Sequence, residues 1–244
     1  MSGGPLALIP ARLQSQRLPG KALADVGGLP MVVRCAHNAA AAGLRAWVCS
    51  DSPAILDACQ EWGVQHLATP AFATGTDRCT WAARTLDAER LVILQGDEPL
   101  IEPTALTEFA AALLNAATGP DTILNGLSLL DAAGAQDPNN VKALQRPDGS
   151  ISQLTRRCLP VSGHLKQLGL YAGRLASFER FAAIGPSPQE QSESIEMLRW
   201  LDAGQLLQGV LLATPALSVD TSADLEAARQ WLAQTDPEQP ASQA

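Results

Sequence analysis

Residues 5–21 read PLALIPARLQSQRLPGK, an apolar run followed by a loop that carries three cationic side chains. The run Leu6–Ile9 predicts a buried strand, and we expect the strand to end at Pro10 because proline cannot donate to a β-ladder. Helices and strands alternate after it, with helices predicted at 31–42 and 53–62 and strands at 45–49 and 65–67. This alternation predicts a parallel sheet with right-handed crossover connections.

The loop after the first strand is the first candidate site. It carries Arg12, Arg17 and Lys21 within ten residues. Guanidinium groups bind phosphate oxygens in pairs and a lysine adds a point charge, so this loop suits a polyanion such as a nucleoside triphosphate. The alternative is an ordinary solvated basic loop, and the loop alone does not decide between the two.

The second half of the chain predicts further strands with less room for helices between them. We expect helices at 78–86, 103–115, 187–204 and from within 218–225 to about 234, and strands at 91–94, 122–130, 141–144, 167–172 and 209–213, with a hairpin turn at 145–150. The fold class is therefore α/β, Rossmann-like, with a mostly parallel central sheet flanked by helices and a smaller antiparallel extension. We predict one domain at 1–234, with the extension at about 122–175, and a disordered tail at 235–244.

Composition narrows the possible functions. Of the 244 residues, 46% are hydrophobic, and the formal net charge is -8, which argues against nonspecific nucleic-acid binding. Five cysteines form no CxxC pair, which favours a reducing compartment. We find no signal peptide and no run of 18 apolar residues, so we expect a cytoplasmic protein without membrane insertion.

An acidic motif follows the buried strand predicted at 91–94. The sequence there is QGDEP, residues 95–99. In open α/β sheets ligands bind beyond the carboxyl ends of the strands, so Asp97 is well placed to hold magnesium against phosphates. The alternative is a plain turn, but the two carboxylates have no basic neighbour in the sequence.

Two further polar clusters allow a structural or a functional interpretation. The stretch Thr74–Asp77 precedes a helix, whose free N–H groups could bind an anion or a base edge, although an ordinary N-cap at Thr76 or Asp77 explains it equally well. Glu190, Glu193 and Glu196 share a helix face with Arg199, and periodicity alone favours a solvated face.

These motifs together resemble the CMP-Kdo synthetases (3-deoxy-manno-octulosonate cytidylyltransferases). The matching pieces, in the family order, are IPAR-x4-RLPGK (9–21), TGTD (74–77), QGDEP (95–99), NNVK (139–142), LGLY (168–171), SP-x-E-x2-E-x2-E-x2-R (187–199) and VDT (219–221). They span residues 5 to about 232, and the first loop together with QGDEP is the most specific part.

The resemblance implies that CTP and an acidic eight-carbon sugar give a CMP-sugar and pyrophosphate, with Mg²⁺ required, in a homodimer. Asp97 and Asp220 would ligate the metal, and Arg12, Lys21 and Asp97 would be catalytic. The residues implied at the nucleotide are Ala11, Arg12, Arg17, Lys21, Thr74, Gly75, Thr76, Arg78 and Gln95. The residues implied at the sugar are Gln95, Arg156, Gln167, Tyr171, Glu196 and Met197.

Three departures from the family pattern concern the sugar pocket and the dimer contact. Gln167 replaces a histidine, Met197 replaces a glutamine, and the loop at 160–166 is shorter than usual. The substrate could therefore be an amino-substituted or otherwise altered Kdo. The sequence is also compatible with a nucleotidyltransferase for another acidic sugar or base, and with a noncatalytic nucleotide-binding protein of the same fold.

Overall fold

The apolar run after residue 5 forms an internal strand of the sheet, between the strands Arg45–Ser50 and Arg90–Leu94. The structure is a computed structural model, and it describes residues 4–15, 17–115, 121–159 and 164–235. The strands are β1 (Leu6–Ala11), β2 (Arg45–Ser50), β3 (His66–Ala68), β4 (Arg90–Leu94), β5 (Ile123–Leu129), β6 (Lys142–Gln145), β7 (Ile151–Thr155), β8 (Leu165–Arg174) and β9 (Leu207–Leu211). The helices are α1 (Met31–Ala41), α2 (Pro53–Glu61), α3 (Gly75–Thr85), α4 (Pro103–Leu114), α5 (Ala132–Gln136), α6 (Leu175–Ile184), α7 (Pro188–Glu193), α8 (Leu198–Asp202) and α9 (Ser222–Thr235). The tail predicted to be disordered, beyond residue 235, and most of the short loop predicted at 160–166 lie outside the described residues.

The strands form one mixed sheet in the order β3-β2-β1-β4-β8-β5-β9. Strands β1 to β4 are parallel, as the alternation of helices and strands predicts, whereas β8 runs antiparallel to both β4 and β5. The β6–β7 hairpin is joined to β8 through β6. The α/β fold with a mostly parallel sheet and a smaller antiparallel part is confirmed.

Pro10 does not end the first strand, contrary to our prediction. The strand continues to Ala11, and Pro10 lies opposite Cys49 of β2. Pairing of β1 with β4 stops at Leu8. Proline is accepted in a strand where no neighbouring strand needs its N–H. At Pro10, β4 no longer pairs with β1, so no ladder hydrogen bond is lost on that side.

Alternating residues of β1 serve two hydrophobic layers. Ala7 and Ile9 belong to the layer that includes α1, α2 and α4, whereas Leu6 and Leu8 belong to the layer that includes α3, α6 and α8. This period of two is expected for a strand that is covered on both faces. The sheet is thus fixed between two layers of helices, and its carboxyl-end loops are left to form a site.

The single helix predicted at 187–204 is wrong, because the structure has α7 and α8 with a break between them. Ser194 at the break has a φ of 54°. Glu190 and Arg199, predicted to be solvated, are buried and joined by hydrogen bonds of 2.7 and 2.8 Å. Arg199 also pairs with Asp77 and lies over the ring of Phe181. Burial of this ion network outweighs the local preference for one continuous helix.

Four elements were not predicted: the short 3-10 helix at Lys21–Leu23, α5, β7 and α6. Helix α5 is only five residues long and is capped by Asp131, whose side chain accepts from the Gly134 N–H. Strand β7 pairs with β6 through the hairpin that was predicted at 145–150. Helix α6 follows β8 directly, with Phe178 and Phe181 buried against the second layer.

Most of the cysteines are core side chains. Four are buried, Cys158 is exposed, and none is in a disulfide among the described residues. Burial raises the pKa of the Cys59 thiol to about 11 and that of Cys49 to about 12, so these thiols are unreactive core side chains.

None of the helices in the described ranges combines the length and apolar character that crossing a membrane would require.

Candidate active site

A cavity of about 870 Å³ lies at the carboxyl ends of β1 and β4. Fourteen of the sixteen residues implied by the family resemblance line it, although they come from distant parts of the chain. They are Ala11, Arg12, Arg17, Lys21, Thr74, Gly75, Arg78, Gln95, Asp97, Arg156, Gln167, Tyr171, Glu196 and Asp220. This is the position at which open α/β sheets bind ligands.

Two residues implied by the resemblance do not line the cavity. Met197 has no exposed surface and belongs to the second hydrophobic layer. Thr76 is also fully buried, with its side chain turned to Glu196 at 2.5 Å. The geometry therefore gives Met197 a place in the core rather than contact with a sugar, and gives Thr76 a supporting place behind the cavity wall.

Lys21 lies between two aspartates. The turn before it contains Gly20 with a φ of 70°, a conformation that glycine adopts without strain. The Lys21 ammonium donates to Asp97 Oδ2 at 2.8 Å and to Asp220 Oδ1 at 2.9 Å. The two carboxylates, 123 positions apart in the numbering, thus converge on one cation beside the first loop.

The charges of this triad support one another. Burial disfavours the charged form of Lys21, but Asp97 and Asp220 outweigh it and raise the pKa of the ammonium. Burial likewise opposes ionisation of Asp220, yet Lys21 and Arg17 outweigh it and lower the pKa of that carboxyl. Lys21 and Asp220 are therefore both charged at neutral pH.

The remaining two cations of the first loop differ in how they are held. Arg17 pairs with Asp220 at 2.9 Å and donates to the Asn139 side chain at 3.2 Å. Arg12 is exposed at the cavity and makes no ion pair with the described residues. Arg12 is thus the loop cation that a ligand meets without first breaking a contact.

Asp220 precedes the last helix, and its position in the sequence would allow it to be the N-cap, but Thr221 and Asp224 cap that helix instead. The Thr221 hydroxyl accepts from the Asp224 N–H, and the Asp224 carboxylate accepts from the N–H groups of Asp220 and Thr221. This reciprocal arrangement caps α9. The carboxylate of Asp220 remains available to the cavity.

The N–H groups at the start of α3 are already occupied, contrary to the expectation that they are free for an anion or a base. The Glu196 carboxylate accepts from the N–H groups of Gly75 and Thr76, both at 3.2 Å. Thr74, not Thr76 or Asp77, is the N-cap, and its hydroxyl accepts from the Asp77 N–H. A carboxylate is the expected partner for a helix N-terminus, and here the protein supplies its own.

Burial raises the pKa of Glu196, and the hydrogen bonds from Thr76 and Gly75 only partly oppose this shift. A carboxyl whose pKa is higher in the folded state makes folding less favourable as pH rises from its unfolded value of 4.5 through the folded value. We therefore expect the difference in unfolding free energy, wild type minus Glu196→Gln, to fall as pH rises from 4.5. Urea unfolding at several pH values measures it. Glu108→Gln, at an exposed position of α4, is the control; a flat or rising difference for Glu196→Gln contradicts the assignment.

Gln95 forms the floor of the cavity and needs glycines on both sides. Its backbone N–H donates to the Gly169 carbonyl at 2.8 Å. A Cβ added at Gly75 would lie 2.8 Å from Gln95 Oε1, and one at Gly169 would lie 2.8 Å from Gln95 Cβ. Tyr171 is buried nearby on β8, opposite Ile93 of β4, so β8 brings its wall of the cavity directly beside Gln95.

We expect Gly169→Ala to destabilise the protein by about 1–3 kcal/mol, the usual range for overpacking. The clash is with Gln95 Cβ and Cγ, which are close to the backbone and cannot rotate away. Urea unfolding measures the change. Gly4→Ala is the matched control because a Cβ there meets nothing within 4 Å; equal stabilities of the two variants would contradict the expectation.

Three more of the implied residues are held by the protein itself. Arg78 donates to Thr69 and pairs with Asp51 at 3.1 Å. Arg156 uses its guanidinium on backbone carbonyls, including that of Asn139 at 2.9 Å. Gln167 donates to the Asn125 side chain at 2.8 Å. Arg78, Arg156 and Gln167 thus form part of the cavity wall, and their side-chain N–H groups are hydrogen-bonded to other groups of the protein.

The donor set at the aspartate pair fits a hard divalent cation. Across the described ranges no group of three or more histidine, cysteine, aspartate or glutamate side chains could hold a metal ion. Asp97 and Asp220 are the two carboxylates that meet at the Lys21 ammonium. Magnesium is commonly held by one or two carboxylates, with waters and substrate phosphates completing its coordination. The Lys21 ammonium lies between Asp97 Oδ2 and Asp220 Oδ1, so these two carboxylates can face one cation. The two aspartates therefore suit a magnesium ion that arrives bound to a phosphate ligand.

The mixed sheet and the cationic loop above a carboxylate pair define a nucleotidyltransferase. A solved structure of a CMP:2-keto-3-deoxy-manno-octonic acid synthetase complexed with CTP superposes with a TM-score of 0.85 and 31% sequence identity, covering 96% of this chain and 100% of that one. The cytidylyltransferase family model matches residues 6–212, and the chain belongs to that family.

Curated relatives give the same result. The 3-deoxy-manno-octulosonate cytidylyltransferase of Azorhizobium caulinodans is 40% identical, over 95% of this chain and 96% of that protein. The protein of the same name from Rhodopseudomonas palustris is 39% identical, over 93% of this chain and 97% of that protein. The predicted membership of the CMP-Kdo synthetase family is confirmed.

Proposed function

We propose that this protein is an Mg²⁺-dependent cytidylyltransferase that joins CTP to Kdo, or to a closely related ulosonic acid, for lipopolysaccharide synthesis. The anomeric hydroxyl oxygen of the sugar forms a bond to the α-phosphorus of CTP. The bond from that phosphorus to the bridging oxygen breaks, pyrophosphate leaves with the electron pair, and the hydroxyl proton passes to solvent. The names and extent of the relatives support this reaction.

One observation carries the proposal: Lys21 is held at 2.8 and 2.9 Å between Asp97 and Asp220, beside a loop with two further cations. A triphosphate that enters this loop meets Arg12 first, and its oxygens compete with the aspartates for Lys21 and Arg17. Phosphoryl chemistry depends mainly on positioning and on neutralising developing charge, which this arrangement can supply. Magnesium, when bound at Asp97 and Asp220, would add neutralisation of the phosphate oxygens and help to align the attacking and leaving oxygens.

The cavity walls support separate places for base and sugar. Thr74, Gly75 and the start of α3 form the wall that we assign to the nucleotide. Gln95, Gln167 and Tyr171 form the wall that we assign to the sugar, with Glu196 between the two. Arg156 supports the sugar wall through its backbone contacts, and Arg78 supports the nucleotide wall.

A homodimer and a cytoplasmic location belong to the same proposal, and the family resemblance supports both. Light scattering on the purified protein checks the dimer. A mass of one chain, 25.6 kDa, would contradict it.

Pyrophosphate release tests the reaction. We expect release from CTP with Kdo in the presence of Mg²⁺, with one CMP-Kdo formed for each pyrophosphate. The panel pairs CTP, UTP, ATP and GTP with Kdo, an amino-substituted Kdo and sialic acid, because Gln167, which lines the cavity, replaces a family histidine. Release only with another nucleotide, or only with another sugar, would replace the proposed substrate.

A noncatalytic nucleotide-binding protein would behave differently in the same experiment. It would release no pyrophosphate with any pair, yet CTP at 100 times its dissociation constant would still stabilise it by about 2.7 kcal/mol. Thermal unfolding with and without CTP therefore separates a nucleotide-binding protein from a purely structural one, which would show no CTP-dependent rise in melting temperature.

A further inference from the structure

A largely buried polar network of Glu98, Lys166 and Ser218 borders the cavity next to Asp97 and Asp220, and none of its three residues is among those implied as ligands. Glu98 follows Asp97 in the sequence and is only 3% exposed. Its Oε1 atom accepts from the Ser218 hydroxyl at 2.8 Å and from the Gly169 N–H at 2.6 Å. The Ser218 hydroxyl also accepts from the Lys166 ammonium at 2.9 Å.

This network fastens two segments of the chain to each other. Lys166 of β8 donates to the Ala216 carbonyl at 3.1 Å as well as to Ser218. The Val219 N–H donates to the Asp97 carbonyl at 2.9 Å. Residues 216–219 are thus held on one side by β8 and on the other by the turn after β4. The next residue, Asp220, follows this fastened segment directly, and its own N–H donates to the Asp224 carboxylate at 3.1 Å.

The Ser218 hydroxyl is hydrogen-bonded to both charged side chains of the network, the Glu98 carboxylate and the Lys166 ammonium. It donates its single proton to Glu98 and accepts from Lys166, so it connects a buried carboxylate to a buried ammonium. A buried charge is tolerated when it is paired and hydrogen-bonded. Lys166 lies on β8, and backbone ladders join that strand to β4 and β5.

We propose that Glu98, Ser218 and Lys166 form a positioning network that sets the separation of the Asp97 and Asp220 carboxylates, and through it the affinity for the cation that accompanies CTP. The inference rests on the proposed function, because it takes the two aspartates as the cation site. Groups that orient metal ligands from behind typically change metal affinity by about 10–100-fold when they are removed.

Ser218→Ala is the sharpest variant. It removes the shared hydroxyl, while Glu98 keeps the Gly169 N–H and Lys166 keeps the Ala216 carbonyl, so neither charge is left without a partner. Ser218→Thr keeps the hydroxyl and is the conservative rescue. Ser152→Ala is the matched control, because that half-buried hydroxyl makes one hydrogen bond, to the Leu144 carbonyl, away from the cavity.

The measurement is calorimetric titration of each full-length variant with CTP, once with Mg²⁺ and once with EDTA. The ratio of the CTP affinity with Mg²⁺ to the CTP affinity with EDTA measures how much the cation site contributes to binding. The CTP affinity with EDTA measures binding to the cationic loop without a metal ion. We expect Ser218→Ala to reduce the Mg²⁺-dependent gain at least about tenfold, with its EDTA affinity unchanged. Ser218→Thr and Ser152→Ala should keep the wild-type gain.

Each contrary outcome overturns a defined claim. A wild-type gain in Ser218→Ala, or an equal loss in Ser152→Ala, overturns the positioning network. A loss in both Mg²⁺ and EDTA for Ser218→Ala also overturns it, because the change would then be general damage to the cavity. If the wild type itself shows no Mg²⁺-dependent gain, the cation site of the proposed function fails, and this inference fails with it.

Discussion

Asp97→Asn should lower kcat for pyrophosphate release from CTP and Kdo by about 10²–10³-fold. The substitution keeps the size of the side chain and removes the charge that faces both Lys21 and the proposed cation. Charge stabilisation by a bound metal is worth several kcal/mol in the transition state, and each 1.36 kcal/mol is tenfold in rate. The loss should therefore fall mainly on kcat rather than on the KM for Kdo.

Measuring the free energy of unfolding of Asp97→Asn shows whether a loss of turnover comes from the missing charge or from unfolding of the protein. Lys21 keeps Asp220 at 2.9 Å, and the Asp97 side chain is 32% exposed, so the ion pair that is lost contributes about 1 kcal/mol at most. Urea unfolding of Asp97→Asn should therefore stay close to that of the wild type. Asp131→Asn, which keeps the cap of α5, is the control with normal turnover. Normal turnover in Asp97→Asn would remove Asp97 from the reaction.

Lys21→Met should have opposite effects on turnover and on metal binding without nucleotide. Turnover should fall by about 10²–10³-fold, the usual loss when one charge-stabilising donor is removed from a reacting centre. Mn²⁺ should bind the nucleotide-free variant at least about tenfold more tightly than it binds the wild type. The reason is that the ammonium no longer competes with the metal ion for Asp97 and Asp220.

Electron paramagnetic resonance of free Mn²⁺ measures the second effect without any turnover. Arg17→Met is the comparison variant, because Arg17 pairs with Asp220 alone and its side chain is 47% exposed. Its Mn²⁺ affinity should change less than that of Lys21→Met. Weaker or unchanged Mn²⁺ binding in Lys21→Met would mean that the aspartates do not form a cation site.

The parallel half of the sheet was predictable because each strand is a short apolar run bounded by turn residues. Even there, Pro10 was misjudged, since its tolerance depends on where pairing with β4 stops. The position of β8 between β4 and β5 could not be predicted, because it arises from pairing between residues far apart in the chain. The break at Ser194 also depends on tertiary contacts, those of the buried Glu190 and Arg199.

The candidate site also combines residues that the sequence makes recognisable with residues that only the fold brings together. Asp97 and the first loop were recognisable because charged residues follow buried strands at the ligand-binding edge. Asp220 needed the family resemblance, since locally it could equally be a helix cap. Lys166 and Ser218 gave no signal, because each is an ordinary polar residue until the fold brings it to Glu98. Glu196 was recognised, but its bond to the start of α3 was not, because the partners are about 120 residues apart.

A crystal structure with Mn²⁺ and CTP tests the central claim most directly, through the anomalous scattering of manganese. We predict an anomalous peak within bonding distance of the Asp97 and Asp220 carboxylates, with the triphosphate between that peak and Arg12, and with the Lys21 ammonium moved from the aspartates to phosphate oxygens. A manganese peak elsewhere, with Lys21 still between the two carboxylates while CTP is bound, would contradict the claim.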